Sequence, residues 1–110
     1  MANAFKRKLH RQIGTSLTAI NAYTVPSSTE TTIIGLTVSN TTAAPIEVGV
    51  TLNDATNDYY IVKSAPIPAG ASLVVVGGDQ KVVLQVGDSV KVISDTATSC
   101  DAVMSILEIT

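Results

Sequence analysis

One histidine, one cysteine and nine carboxylates are what this 110-residue chain offers for acid–base, nucleophilic or metal chemistry. A nucleophile needs a base to activate it. His10 lies in the basic run KRKLHRQ, while Cys100 stands between Ser99 and Asp101 with no basic or imidazole neighbour in sequence. Neither a Ser-His-Asp nor a Cys-His arrangement is expected, and a single histidine with one distant cysteine cannot assemble a zinc site from the usual ligands. Asp54, Asp58, Asp79, Asp88 and Asp95 stand singly in turn-like surroundings, where bonds from carboxylate to backbone amides account for them.

Two stretches imitate binding motifs. Residues 53–58, NDATND, cluster side-chain oxygens as a calcium loop does, but lack its residue order and its bidentate glutamate. They predict a hairpin turn whose Asn and Asp side chains bond their own backbone. Residues 77–81, GGDQK, are glycine-rich, yet without the G-x-x-x-x-G-K-[ST] spacing and a following helix they predict a tight turn rather than a phosphate cradle. No catalytic residue, metal ligand or cofactor is assigned, and the chain is not expected to be an enzyme.

The elements behind these turns are short. With 45% hydrophobic residues, 4% aromatic residues and no Trp, the core must come from Val, Ile, Leu and Ala, and the β-branched excess fits a pleated sheet. Strands are predicted over residues 17–25, 31–39, 46–52, 59–63, 73–76, 82–86, 90–93 and 101–110. The second and third are expected to pair as a hairpin with aliphatic faces on one side. Pro66 and Pro68 confine their segment to an edge or an extended connection. The last strand is apolar on both faces, so it should lie centrally or be covered by a neighbour. The pattern is all-β: a single antiparallel β-sandwich or jelly-roll-like domain of about eight short strands. The apolar runs are too short for a membrane helix, and no apolar region follows the basic start as a secretory signal requires. A lone cysteine leaves the fold to packing, as expected for a protein made in a reducing cytosol.

Charge divides the chain unevenly. Lys6, Arg7, Lys8 and Arg11 precede Gly14 with no acid among them, which leaves three lysines against nine acids, a charge of −6, in the remainder. Residues 1–14 thus read as a basic arm and residues 15–110 as the β-sandwich. Phe5, Leu9 and Ile13 recur every four residues, which would place them on one face of a short helix with Lys6, Arg7 and Lys8 to its sides. A helix of that length is marginal in water, so the arm is expected to order by docking on its own domain, a neighbouring subunit or an acidic surface, or to remain a solvated terminus. Nucleic acid is not expected as its partner, because interleaved aromatics are missing and the body is acidic. His10 is read as part of the arm alone. Tyr59 and Tyr60 point to opposite faces of their strand, so one ring is expected at the surface as a contact.

The start ANAFKRKLHRQIGTS, the strand TTIIGLTVSNTT, the run YYIVKSAPIPAGASLVVVGGDQKVVLQVGDSVKV and the close SCDAVMSILEIT resemble small virion structural proteins of tailed bacteriophages, particularly phages of aquatic bacteria. The resemblance implies a non-enzymatic subunit made in the bacterial cytoplasm and incorporated in many copies into capsid, neck or tail. It also implies other virion proteins as partners and a homo-oligomeric state. The protein–protein contacts are then expected from Phe5, Lys6, Arg7, Lys8, Leu9, Arg11 and Ile13, helped by Tyr59 or Tyr60. Deleting residues 2–13 is expected to leave a folded body that no longer joins particles. The alternative is a carbohydrate-binding sandwich for host-surface attachment, with Tyr59 and Tyr60 beside the NDATND loop as its aromatics.

Overall fold

Nine strands and one short 3-10 turn form two antiparallel sheets packed face to face, in a computed structural model that describes residues 2–77 and 80–110. The strands are β1 (Asn3–Ile13), β2 (Thr18–Ala19), β3 (Glu30–Asn40), β4 (Ile46–Asn53), β5 (Asp58–Ile67), β6 (Ser72–Val76), β7 (Val82–Leu84), β8 (Ser89–Ser94) and β9 (Cys100–Ile109), with the 3-10 turn at Ile20–Ala22. One sheet runs β1-β9-β3-β6, with β7 also on β3 beside β6; the other runs β2-β8-β4-β5. Pairings nest from the outside inward, first strand with last and second with eighth, down to the β4–β5 hairpin. This is the order of a jelly roll.

Between the sheets lies a core without Phe or Trp. Ile13, Ile20, Ile33, Leu36, Ile46, Val50, Ile67, Leu84, Met104 and Ile106 are among its fully buried side chains. On β9 the inward face is Ala102, Met104, Ile106 and Glu108, one residue in two as a strand requires. On β3 the simple alternation breaks, because a bulge between Ile33 and Gly35 resets the register and turns both Ile33 and Leu36 inward.

The predicted hairpin of β3 with β4 does not form. The two strands lie in different sheets, β3 beside β9 and β4 beside β8 and β5. Asn40, buried at the end of β3, directs the crossing: its Nδ2 donates to the carbonyls of Ala44 (2.8 Å) and Ile67 (3.0 Å), and its Oδ1 accepts the Thr42 amide at 2.9 Å. One side chain thus replaces the backbone partners that a connection between sheets cannot supply.

The segment expected as a separate arm is an edge strand of the domain. β1 pairs with β9 from Asn3↔Ile109 to Ile13↔Cys100. Spacing by four is also an even spacing, so on a strand Phe5 and Leu9 still share a face. Ile13 does not join them. Between His10 and Ile13 a bulge, with Gln12 at φ 59° and its amide donated to Asp101 Oδ1 at 2.9 Å, sets two residues against one and turns Ile13 into the core. Deleting residues 2–13 would therefore strip a strand and a core isoleucine from the domain, and would not leave an intact body.

The hairpin turn predicted at 53–58 is present: Asn53 Oδ1 accepts the Ala55 amide (2.8 Å), and Asp54 Oδ1 accepts the amides of Thr56 (3.0 Å) and Asn57 (2.7 Å). These amides hold the Asp54 carboxyl below the usual range. Of the turn predicted at 77–81, Gly78 and Asp79 lie outside the described residues; the Gln80 amide donates to the Gly77 carbonyl at 3.2 Å. β5 carries Pro66 at the edge of its sheet, where a missing amide costs no ladder bond.

Candidate functional site

β1 places its side chains in two sets. Ala4, Lys6, Lys8 and His10 pair with Glu108, Ile106, Met104 and Ala102, whose side chains point inward; Phe5, Arg7 and Leu9 pair with Leu107, Ser105 and Val103 on the outer face. The even residues serve the domain. Lys6 Nζ lies 2.8 Å from Glu108 Oε1, and Tyr23 donates its hydroxyl to Glu108 Oε2 at 2.6 Å. The phenol has one proton and gives it to Glu108, so Thr31, whose hydroxyl is 2.9 Å from the phenol oxygen, is the donor to it. Lys8 Nζ sits 4.7 Å from the centre of the Tyr23 ring, a cation–π contact. His10 does more than the sequence reading assigns it: its Nδ1 accepts the Asn21 amide at 3.1 Å and ties the 3-10 turn to β1.

The electrostatics follow from these contacts. The Lys6 ammonium, with the Tyr23 hydroxyl second, holds the buried Glu108 carboxyl below the ordinary glutamate range. Burial, reinforced by the carboxylate it bonds, pushes the Tyr23 phenol up to about 12. Burial pushes the Cys100 thiol up to about 11, so the cysteine is an inert core group. Among the described residues no three His, Cys, Asp or Glu side chains come close enough to hold a metal, and no helix is long and apolar enough to cross a membrane.

What the structure brings together lies on the opposite face. Two rows cross the five-stranded sheet on its outer surface: Leu9–Val103–Thr37–Val74, and Phe5–Leu107–Thr32–Val83. Between them runs Arg7–Ser105–Gly35, small at its centre and cationic at its edge. Phe5 is 77% exposed, Val74 64%, Val83 63%, Val103 49% and Leu9 43%. Lone exposed aliphatics need no explanation, but an apolar face shared by five such residues does. Neither Arg7 nor Arg11, both exposed, has a carboxylate partner among the described residues. Beside the bulge, Leu9, Arg11, Asp101 and Val103 help line a depression of about 410 Å³.

The expected contact residues therefore separate. Phe5, Arg7, Leu9 and Arg11 face solvent. Lys6 and Lys8 are engaged with Glu108 and Tyr23, although half of the Lys6 side chain stays exposed, and Ile13 is buried at 1% exposure, so of these three only Ile13 is withdrawn from the surface. Val74, Val83 and Val103 are the residues that reading the sequence passed over. A signal for one of them was present, since the last strand is apolar on both faces and only one face can meet the core.

On the second sheet, Tyr60 pairs with Thr51 and Tyr59 with Leu52, so the two rings point to opposite faces and form no common platform. Both are about half-exposed. The Tyr59 hydroxyl reaches Asp54 Oδ2 at 3.3 Å. Tyr60 lines a shallow depression of about 240 Å³ together with Glu47, Gly49, Lys63, Ile93 and Asp95, and Lys63 Nζ lies 5.3 Å from its ring centre.

The chain matches no family model and no curated protein. Among solved structures it is similar to a protein of Bacillus endospore appendages, a family of disulfide-linked pili, with a TM-score of 0.57, 12% identity, and coverage of 98% of this chain and 88% of that one. A looser likeness is to the virus-like particle of the extra small virus of the giant freshwater prawn Macrobrachium rosenbergii, with a TM-score of 0.42, 11% identity, and coverage of 100% of this chain and 81% of that one. At such low identity the first likeness is one of fold, and the second is too loose to argue from.

Proposed function

We propose that this chain is a non-enzymatic structural subunit, built in many copies into the virion of a tailed bacteriophage and attached through the outer face of its five-stranded sheet. The observation that carries the reading is that face. It presents Phe5, Leu9, Val74, Val83 and Val103 to solvent beside two arginines without carboxylate partners among the described residues; a contiguous exposed apolar patch marks an interaction site, and Phe and Arg are enriched at interfaces. The sequence resemblance to virion proteins supports the same role. The fold likeness to a pilus protein supports it too, with one difference: the single cysteine here is buried, so the folded subunit would be held by packing and charge. The carbohydrate-binding alternative has two half-exposed rings, Tyr59 and Tyr60, which point to opposite faces of their strand and form no paired platform.

The test is quantitative mass spectrometry of purified virions from cells in which the gene is intact or carries F5D/L9D. The wild-type chain is expected in fixed ratio to the other particle proteins, and the variant is expected to stay in the soluble fraction. Both side chains are exposed, so the variant should lose about 1–2 kcal/mol at most and remain folded, which thermal unfolding checks. A chain found only outside particles, or a variant incorporated normally, overturns the reading.

A further inference from the structure

The apolar, arginine-bearing face of the five-stranded sheet has a counterpart on the same molecule, a depression where the carboxylates of Glu47 and Asp95 outnumber one cation, Lys63. We propose that it docks head to tail on a second copy, with the β1 arginines received by the Tyr60 depression on the outer face of the four-stranded sheet. The proposal rests on the reading of the chain as an assembly subunit, and adds the identity of both surfaces and the polarity of the contact.

Charge complementarity argues for this occupant. Arg7 and Arg11 stand exposed without carboxylate partners among the described residues. Across the molecule, Glu47 and Asp95 line the depression, and neither makes an ion pair among the described residues, although Asp95 Oδ1 accepts the Glu47 amide at 3.2 Å and the Thr96 hydroxyl at 3.0 Å. Lys63 Nζ already lies 5.3 Å from the Tyr60 ring centre, so an incoming guanidinium is received by the two carboxylates, which its planar fork can meet bidentately. The depression is open because residue 49 is glycine: a Cβ there would come within 3.1 Å of Tyr60 Cε1 and 3.2 Å of Ile93 Cγ2. On the same face, Tyr60 and Ile93 give Phe5 and Leu9 apolar surface to meet.

The isologous alternatives are poorer. A two-fold axis running across the strands would lay β1 on its copy with Arg7 against Arg7. An axis along the strands would lay β1 on the β6 and β7 edge, whose strands, SLVVV and VVL, carry no carboxylate among the described residues. Stacking one outer face on the other type of face instead continues the sandwich, sheet upon sheet at about 10 Å. Such a heterologous contact does not close on itself in a dimer, so it builds rings or filaments.

Sedimentation velocity of the full-length chain over a range of concentrations at about 0.1 M salt tests the proposal with two variants, R7E/R11E and E47K, whose folds are checked by circular dichroism and thermal unfolding. Wild type is expected to form species larger than dimers and to dissociate at high salt. Each variant alone should associate about tenfold more weakly or less, while an equimolar mixture recovers association, since each reversed surface then finds an opposite one. Tyr60→Ala, which leaves every charge in place, should weaken wild-type association as well. An E47K protein that associates like wild type while R7E/R11E does not points to a face-to-face dimer and overturns the proposal, as does a wild type that stays monomeric. A monomeric chain that still enters virions sinks only the head-to-tail contact; a self-associating chain absent from virions sinks only the virion role.

Discussion

Replacing Tyr23 by Phe removes one oxygen and tests how β1 is held to the sandwich. That oxygen donates to Glu108 Oε2 at 2.6 Å and is 2.9 Å from Thr31 Oγ1, and Tyr23, Thr31 and Glu108 are all buried. A hydrogen bond to a charged group is worth about 1.5–3 kcal/mol, and the Thr31 hydroxyl left without its acceptor costs about 1 kcal/mol more. Packing changes little, since the ring stays. The expected loss is therefore about 3 kcal/mol, which for a chain of this size lowers the melting temperature by about 13 °C. Urea unfolding at pH 7 reads the free energy, and a second variant guards the interpretation. In the Y23F background, Thr31→Val removes the stranded hydroxyl, so the double variant should be about 1 kcal/mol more stable than the two single losses added together. The pH dependence gives an independent check. Because the folded Glu108 carboxyl titrates below its unfolded value, its contribution is complete above about pH 4.3 and disappears as pH falls through the folded value. Lys6→Met removes the larger cause and Y23F the smaller, so in both the folded carboxyl titrates closer to its unfolded value and the acid limb of the stability profile should become shallower, more so in Lys6→Met. A Y23F protein within about 0.5 kcal/mol of wild type, with an unchanged acid limb, would falsify the account.

Two further outcomes follow from single residues. Burial raises the Cys100 thiol to about 11, so the folded state keeps a proton that the unfolded chain releases near pH 8.5–9; stability should fall as pH rises from there toward 11, by on the order of 2–3 kcal/mol from this group, and Cys100→Ala should flatten that stretch of the profile in urea titrations. Ala55 holds φ 76° in the 53–58 turn, a left-handed conformation that costs an L-residue about 1 kcal/mol, so Ala55→Gly should raise the unfolding free energy by a few tenths to about 1 kcal/mol, whereas a loss would show that the turn does not persist in solution.

How far the sequence carried can be judged strand by strand. Alternating β-branched residues and polar turns set the all-β class, because one residue in two must leave water on a half-buried strand. The same local logic explains the NDATND turn, whose bonds close within five residues, and the placement of Cys100 in the core at the start of β9. The choice of partner was not local. β3 and β4 are neighbours in sequence with matching aliphatic faces, yet they sit in opposite sheets because Asn40 bonds forward to Ala44 and to Ile67, 27 residues on. A period of four in Phe5, Leu9 and Ile13 fits a helix or a strand equally over two steps. Only the unpaired edge of β9, about a hundred residues away in sequence, selects the strand.

The division of labour within residues 1–14 was equally hidden. Composition determined that this segment is basic and that the rest of the chain is acidic, and that much holds in any fold. Which cations find a partner within the domain depends on parity along β1: Lys6 and Lys8 reach Glu108 and Tyr23, Arg7 and Arg11 turn to the outer face, and one extra residue at the bulge reverses Ile13. The apolar outer face is assembled from β1, β6, β7 and β9, whose exposed residues are spread from Phe5 to Val103, so no window of sequence contains it. The sequence by itself determined the material, strands able to bury one face and a terminus of one charge. Tertiary pairing decided which faces met each other and which was left to solvent, because hydrogen-bond register, not composition, assigns each side chain to a side of its sheet.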